Sequence, residues 1–214
     1  MKRLLILLVA GSCLAGCKPE TGGSAAAAPQ PAATNAPAPT SPAIEPVSPH
    51  GAAASSTVVT ANGATLSTPH FAFDLPAGWR SEQPSSSMRL VQAVLPGEAG
   101  PGELVLFYFG AGQGGTVEGN FDRWRGQVVG SGEGERGVVE GGPFRTSWLD
   151  LRGTLLPSGM GAGPTTPQPG FRFIGAVVEG ENGPWFFKLT GPEATIAKER
   201  DAFFGLLKSF RRPA

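Results

Sequence analysis

The aromatic residues of this 214-residue chain are segregated: all 13 Phe, 4 Trp and the single Tyr lie beyond Thr57. A core can therefore form only in the later part. From Lys18 to Thr57 there is no aromatic residue and no Leu, and Ala, Pro, Ser, Thr and Gly dominate. Such a stretch cannot bury enough apolar surface to offset the entropy of ordering its backbone. Ala favours helix, but eight prolines in those 40 residues interrupt every run. A flexible coil of this length spans roughly 35 Å, and a polyproline-like one up to ~120 Å. The segment 17–65 is expected to be a tether, and 66–214 a single domain large enough to fold without cross-links.

The N-terminus carries its own signal. Lys2 and Arg3 precede an almost wholly apolar run from Leu4 to Ala15. At about 12 residues that run is too short for a membrane-spanning helix, which needs ~20, and has the length of a secretory signal core. Leu14-Ala15-Gly16-Cys17 resembles the lipobox of bacterial lipoproteins. The resemblance implies cleavage between Gly16 and Cys17, removal of residues 1–16 and a lipid on the Cys17 thiol. More than one acyl chain gives stable anchoring. Lys18, where Asp would favour retention at the inner membrane, implies the periplasmic face of the outer membrane.

Cys13 leaves with the signal, so Cys17 is the only thiol left and no disulfide or thiolate zinc site is expected. The whole chain has 17 basic and 17 acidic residues; loss of Lys2 and Arg3 leaves 15 against 17, a formal charge of −2. There is no basic stripe of the kind that binds nucleic acid.

Period and punctuation outline the domain. Phe71, Phe73 and Leu75 alternate as a half-buried strand, stopped by Pro76-Ala77-Gly78. Met88–Leu95 reads as a second strand, and Leu104–Phe109 as a central one with both faces covered. Thr116 can cap a helix whose apolar stripe is Val117, Phe121, Trp124 and Val128. Further strands are expected over 137–140, 144–155, 171–179 and 185–190, with a Gly-, Pro- and Thr-rich loop between Pro157 and Gly170. Gly191-Pro192-Glu193 opens a final helix, striped by Ile196, Phe203, Leu207 and Phe210. Hairpin-length connections imply an antiparallel sheet. The expected fold is α+β, with about six strands flanked by helices.

The Phe-x-Phe-x-Leu-Pro-x-Gly-Trp opening (Phe71 to Trp79), a Gly-rich turn into a Trp-bearing helix and a closing strand–helix pair resemble the PsbP/Mog sandwich group. Tether plus domain is similar to lipoproteins of that kind. The resemblance covers about residues 66–212. It implies an antiparallel sheet between helices and a protein-binding role, since known relatives bind partners as different as photosystem subunits and a small GTPase. None of their partner-binding residues matches this chain position by position.

Gly110-x-Gly112-x-x-Gly115 follows a strand and precedes a helix, which formally matches a dinucleotide fingerprint. That fingerprint belongs to a parallel βαβ unit; here the glycines are expected to allow a tight turn with positive φ. No cofactor is expected. His70 is the one histidine of the domain and is read as a surface or strand-end residue, too isolated for a nucleophile system or a metal site. Asp74, Glu103, Glu118, Asp122, Asp150 and Glu179 have no spacing that singles out a pair, and are read as solvated acids. No catalytic residue is assigned.

Arg80, Arg89, Asn120, Arg123 and Trp124 form the candidate partner surface, because Trp and Arg are favoured at binding hot spots. The leading expectation is a lipid-anchored envelope module that binds a protein partner and is not an enzyme. The alternative is a carrier of a small apolar ligand, held between sheet and helix by Phe107, Phe109, Phe173 and Phe187.

Overall fold

The computed structural model describes residues 60–62, 64–157 and 164–212. Gly16, Cys17 and nearly all of the expected tether lie outside the described residues, as do residues 158–163 of the expected loop. Three short strands come first: β1 (Thr60–Asn62), β2 (Thr65–Ser67) and β3 (Ala72–Asp74). They pair in sequence order as a small antiparallel sheet, so β1 and Thr65 lie ahead of residue 66, where the sequence placed the start of the domain.

The main sheet is antiparallel throughout. It comprises β4 (Arg80–Glu82), β5 (Val91–Leu95), β6 (Gly102–Tyr108), β7 (Val128–Val129), β8 (Glu135–Val138), β9 (Thr146–Leu155), β10 (Gln168–Gly180) and β11 (Gly183–Pro192). Its order is β4-β5-β6-β11-β10-β9-β7, and β8 pairs with β9 beside β7. The strands number more than six because β4 and β7 carry little apolar pattern: all three residues of β4 are exposed, and β7 is two residues long.

Helix α1 (Val117–Arg125) lies on one face and α2 (Glu193–Lys208) on the other. The Thr116 hydroxyl accepts from the Gly119 N–H at 3.1 Å, capping α1 as its position suggests. The helix stops at Gly126, short of the stripe read through Val128. Val128 instead reaches the same apolar cluster from β7, where it pairs with Leu155.

Alternation sorts the strand side chains between two cores. The larger, under α2, gathers Ala93, Leu104, Leu106, Ile174, Ala176, Trp185, Phe187, Ile196 and Phe203 among others. The small sheet closes this core with Leu66, Phe71 and Phe73, and Phe71 meets Phe210 with ring centroids 4.8 Å apart. Ala72 and Arg211 exchange backbone hydrogen bonds of 2.8 and 3.0 Å, which clamps the end of the domain to β3. The smaller core, under α1, holds Phe121, Trp124, Val128, Leu149, Leu151, Leu155, Phe173, Val177 and Phe186. Each large apolar side chain so buried contributes about 1.5–3 kcal/mol.

Candidate functional site

The two helices cover the sheet unequally. On its face α1 packs against β7, β9 and β10, and among the described residues no helix lies over the half formed by β4, β5, β6 and β11. Cross-strand register identifies the residues there. One row runs Glu82, Gln92, Val105, Lys188, Gly175 and Leu149; the next runs Arg80, Val94, Glu103, Thr190, Phe173 and Leu151. Opposite Lys188 the sheet has Gly175, and the Trp124 indole fills the space above it.

Lys188 sits alone in the Trp185-Phe186-Phe187-Lys188-Leu189 run on an interior strand. Its ammonium lies 5.4 Å from the Phe107 ring centroid and 5.8 Å from that of Phe173, within cation–π range. Among the described residues it has no carboxylate partner and no hydrogen-bond acceptor. Burial, with the like charges of Arg123 and Arg89 adding to it, lowers its pKa from the usual lysine value to about 8.

Arg89 is 5% exposed. Its Nη1 donates to Glu103 Oε1 at 2.7 Å and to Gln92 Oε1 at 2.9 Å, while its buried Nε has no acceptor among the described residues. Arg89, Gln92, Glu103, Phe171 and Thr190 line a recess of about 460 Å³ on this half-face. Two other recesses hold charges that are already matched. One of about 410 Å³ contains the Lys198–Glu98 pair, and one of about 280 Å³ contains Arg136–Glu118 and Arg145–Glu179.

The structure divides the five candidate surface residues. Arg80 and Arg123 are exposed, and Arg80 shares the uncovered face with Arg89. Asn120 and Trp124 are not surface residues. Trp124 is 0% exposed and packs 5.5 Å from the Phe173 ring, since its helical position faces the sheet. Asn120 donates to the Gly114 and Thr116 carbonyls, both at 2.8 Å, and its Oδ1 accepts from Arg123, so it fastens the Gly-rich turn to α1. Arg89, likewise, is a buried member of an ion pair.

The turn glycines Gly110, Gly112, Gly114 and Gly115 have positive φ, the conformation expected of them. A β-carbon on Gly114 would also stand 2.6 Å from the Phe186 ring. The strand that leads into the turn belongs to an antiparallel sheet, so the dinucleotide geometry is not formed.

Of the six acids read as solvated, Asp74, Glu118, Asp122 and Glu179 are exposed and pair with Arg211, Arg136, Arg125 and Arg145 at the surface, Glu103 is partly exposed and pairs with Arg89, and Asp150 is buried against Arg172 and Arg200. Asp150 and Arg172 form a buried bidentate pair at 2.5 and 2.8 Å. The bond to Asp150 also raises the Arg172 pKa. His70 is half-buried, its ring centroid 5.5 Å from Trp185 and 6.0 Å from Tyr108. Among the described residues no three His, Cys, Asp or Glu side chains gather as a metal site, and no helix is long and apolar enough to cross a membrane.

The expected apolar pocket is not formed as drawn. Phe187 lies in the α2-side core, on the opposite face of the sheet from Phe107 and Phe173, because it stands one position from Phe186 and Lys188 on the strand. Phe109 is 38% exposed beside Phe107 and Phe186.

The described residues form an α+β sandwich with a charged half-face that none of their helices covers. Among solved structures, the chain is similar to the solution structure of cyanobacterial PsbP from Synechocystis, at 13% identity with a TM-score of 0.44, over 72% of this chain and 98% of that one. It is also similar to a crystal structure from Bacteroides thetaiotaomicron, at 12% identity with a TM-score of 0.40, over 67% of this chain. The match spans 45% of the length of that Bacteroides chain. No protein-family profile and no curated protein matches.

Proposed function

We propose that this chain is a lipoprotein of the cell envelope, anchored through Cys17, whose folded domain is an accessory module that binds a protein partner rather than an enzyme. The observation that carries the binding role is the half-face of β4, β5, β6 and β11, which among the described residues has no helix over it and holds a cation without a counter-charge at Lys188. A covered sheet needs no such residue in its interior, whereas a partner can supply the missing charge.

The anchoring role rests on Leu14-Ala15-Gly16-Cys17 following a signal-length apolar run. Lys18 supports the periplasmic face of the outer membrane. The tether then gives the domain reach from the membrane without fixing its orientation.

Crosslinking in intact cells, followed by identification of what is captured, tests the binding role. A specific envelope protein, captured less when Arg80 and Arg123 are both changed to Glu, is the expected result. A purified domain carrying a lipid or metabolite, with no specific partner captured, overturns it. Anchoring is tested separately by Cys17→Ser, which should leave an unprocessed precursor or release soluble protein; unchanged membrane fractionation with a normal mature mass refutes it.

A further inference from the structure

We infer that Lys188, flanked by Arg123 and Arg89, is the receiving point for a carboxylate of an acidic peptide segment on the partner. The inference rests on the partner-binding reading and adds the chemistry of the partner.

The charges on this face do not balance. Glu103 is already bound by Arg89, and the polar contact of Arg123 is the neutral Asn120 amide. Glu82 shares the Lys188 row but stands three strands away across β5 and β6, about 14 Å at ordinary strand spacing. Lys188 and Arg123 therefore have no neutralising anion among the described residues. The described groups around Lys188 come from β6, β10 and α1 and from the segment before β5. Val105 of β6 and Gly175 of β10 are its direct neighbours, Phe107, Phe173 and Glu103 lie diagonally, and Arg123 and Arg89 are the cations that act on it.

The rings of Phe107 and Phe173 hold the ammonium in place but cannot neutralise it. A carboxylate arriving from solvent can, in a setting of reduced dielectric where a charge pair is strengthened. A peptide suits the face better than a membrane surface does. Glu82 and Glu103 line the adjoining recess, which Arg89 shares, and would meet the anionic plane of a bilayer, whereas a single carboxylate can be placed between the cations. The partly exposed rings of Phe107 and Phe109 offer apolar contact alongside.

The test uses the full-length lipidated protein in neutral detergent with an acetylated, amidated hexaglutamate peptide as probe. Calorimetry near pH 8 is run in two buffers of different ionisation enthalpy. The carboxylate should raise the Lys188 pKa, so binding should take up as much as about half a proton per complex. Lys188→Met should weaken binding at least about tenfold. Lys188→Arg, charged throughout, should keep binding and abolish the proton uptake.

No binding of the peptide, or binding unchanged in Lys188→Met, overturns the inference. Glycerol phosphate binding as tightly as the peptide, and equally dependent on Lys188, also overturns it by assigning the site to a lipid headgroup. If the cellular crosslink persists in Lys188→Met, the partner-binding reading stands and this inference fails. If the peptide binds through Lys188 but no partner is captured, the reverse holds.

Discussion

Trp124 and Gly175 are shaped to one another: a β-carbon at Gly175 would stand 2.4 Å from the indole ring, which occupies the space over the strand. The helix and the sheet approach closely only because one of them has no side chain there. Gly175→Ala should destabilise the domain by about 1–3 kcal/mol through overpacking, read as a lower urea midpoint. Trp124→Leu in the same chain should recover part of the loss. A Gly175→Ala variant as stable as the parent would mean that α1 sits higher on the sheet.

Lys188 predicts a dependence of stability on pH. Its folded pKa, about 8, is below the ordinary 10.5, so between these values the unfolded chain binds more protons and stability rises with pH. Below pH 8 the full cost of holding the ammonium is present, and above about 10.5 it is gone. Lys188→Met should therefore stabilise the domain at pH 7 by about 1–3 kcal/mol, allowing for solvent screening. The difference between variant and parent should shrink toward zero by about pH 11. Paired urea titrations across that range measure it, and a pH-independent difference would contradict the assignment.

The Asp150–Arg172 pair is buried, with side-chain exposures of 1% and 5%. Arg172→Met leaves Asp150 with only the longer 3.4 Å contact to Arg200, and should cost about 3–5 kcal/mol. Changing Asp150 to Leu as well should return most of that stability, because two apolar groups leave no charge stranded. Thermal unfolding of the two single variants and the double variant closes the cycle.

Asp74 is held below the usual carboxylate range by hydrogen bonds from Arg211 and Thr65. Its contribution is thus present above about pH 3.8, the ordinary value, and is lost as the pH falls through its lower folded value. The amides of Ala72 and Arg211, which bond to each other's carbonyls, should lose hydrogen-exchange protection on that acidification. Asp74→Asn should produce the same loss at neutral pH without affecting protection in β10.

Local signals made much of the architecture legible. Thr116 marked the start of α1, and the spacing of Val117, Phe121 and Trp124 marked its buried side. The same stripe suggested Val128, since a strand residue feeding the same cluster has the spacing of a further helical turn. β4 was hidden because its three residues are all exposed. At the site, adjacency misled. Arg123 and Trp124 are neighbours in sequence, yet successive helical residues point about 100° apart, one outward and one into the core. Ion pairs were hidden for a different reason: Glu103 finds Arg89 over 14 residues, Asp150 finds Arg172 over 22, and Asp74 finds Arg211 over 137. Only topology sets such partners. Lys188 has a local signature, one charge inside an apolar strand, but its meaning depends on which half of the sheet the described helices leave open.

The first strand also has a mechanical consequence. β1 pairs with β2 so that Thr60 lies opposite Ser67, at the open end of the hairpin. A pull on the chain ahead of Thr60 therefore loads these hydrogen bonds one after another and peels β1 away, instead of shearing them together. Phe71 and Phe73 stay seated in the core, and Ala72 stays latched to Arg211, while that strand yields. Under such a pull β1 would thus yield first, a mechanical fuse that takes up the tension before it reaches the sheet.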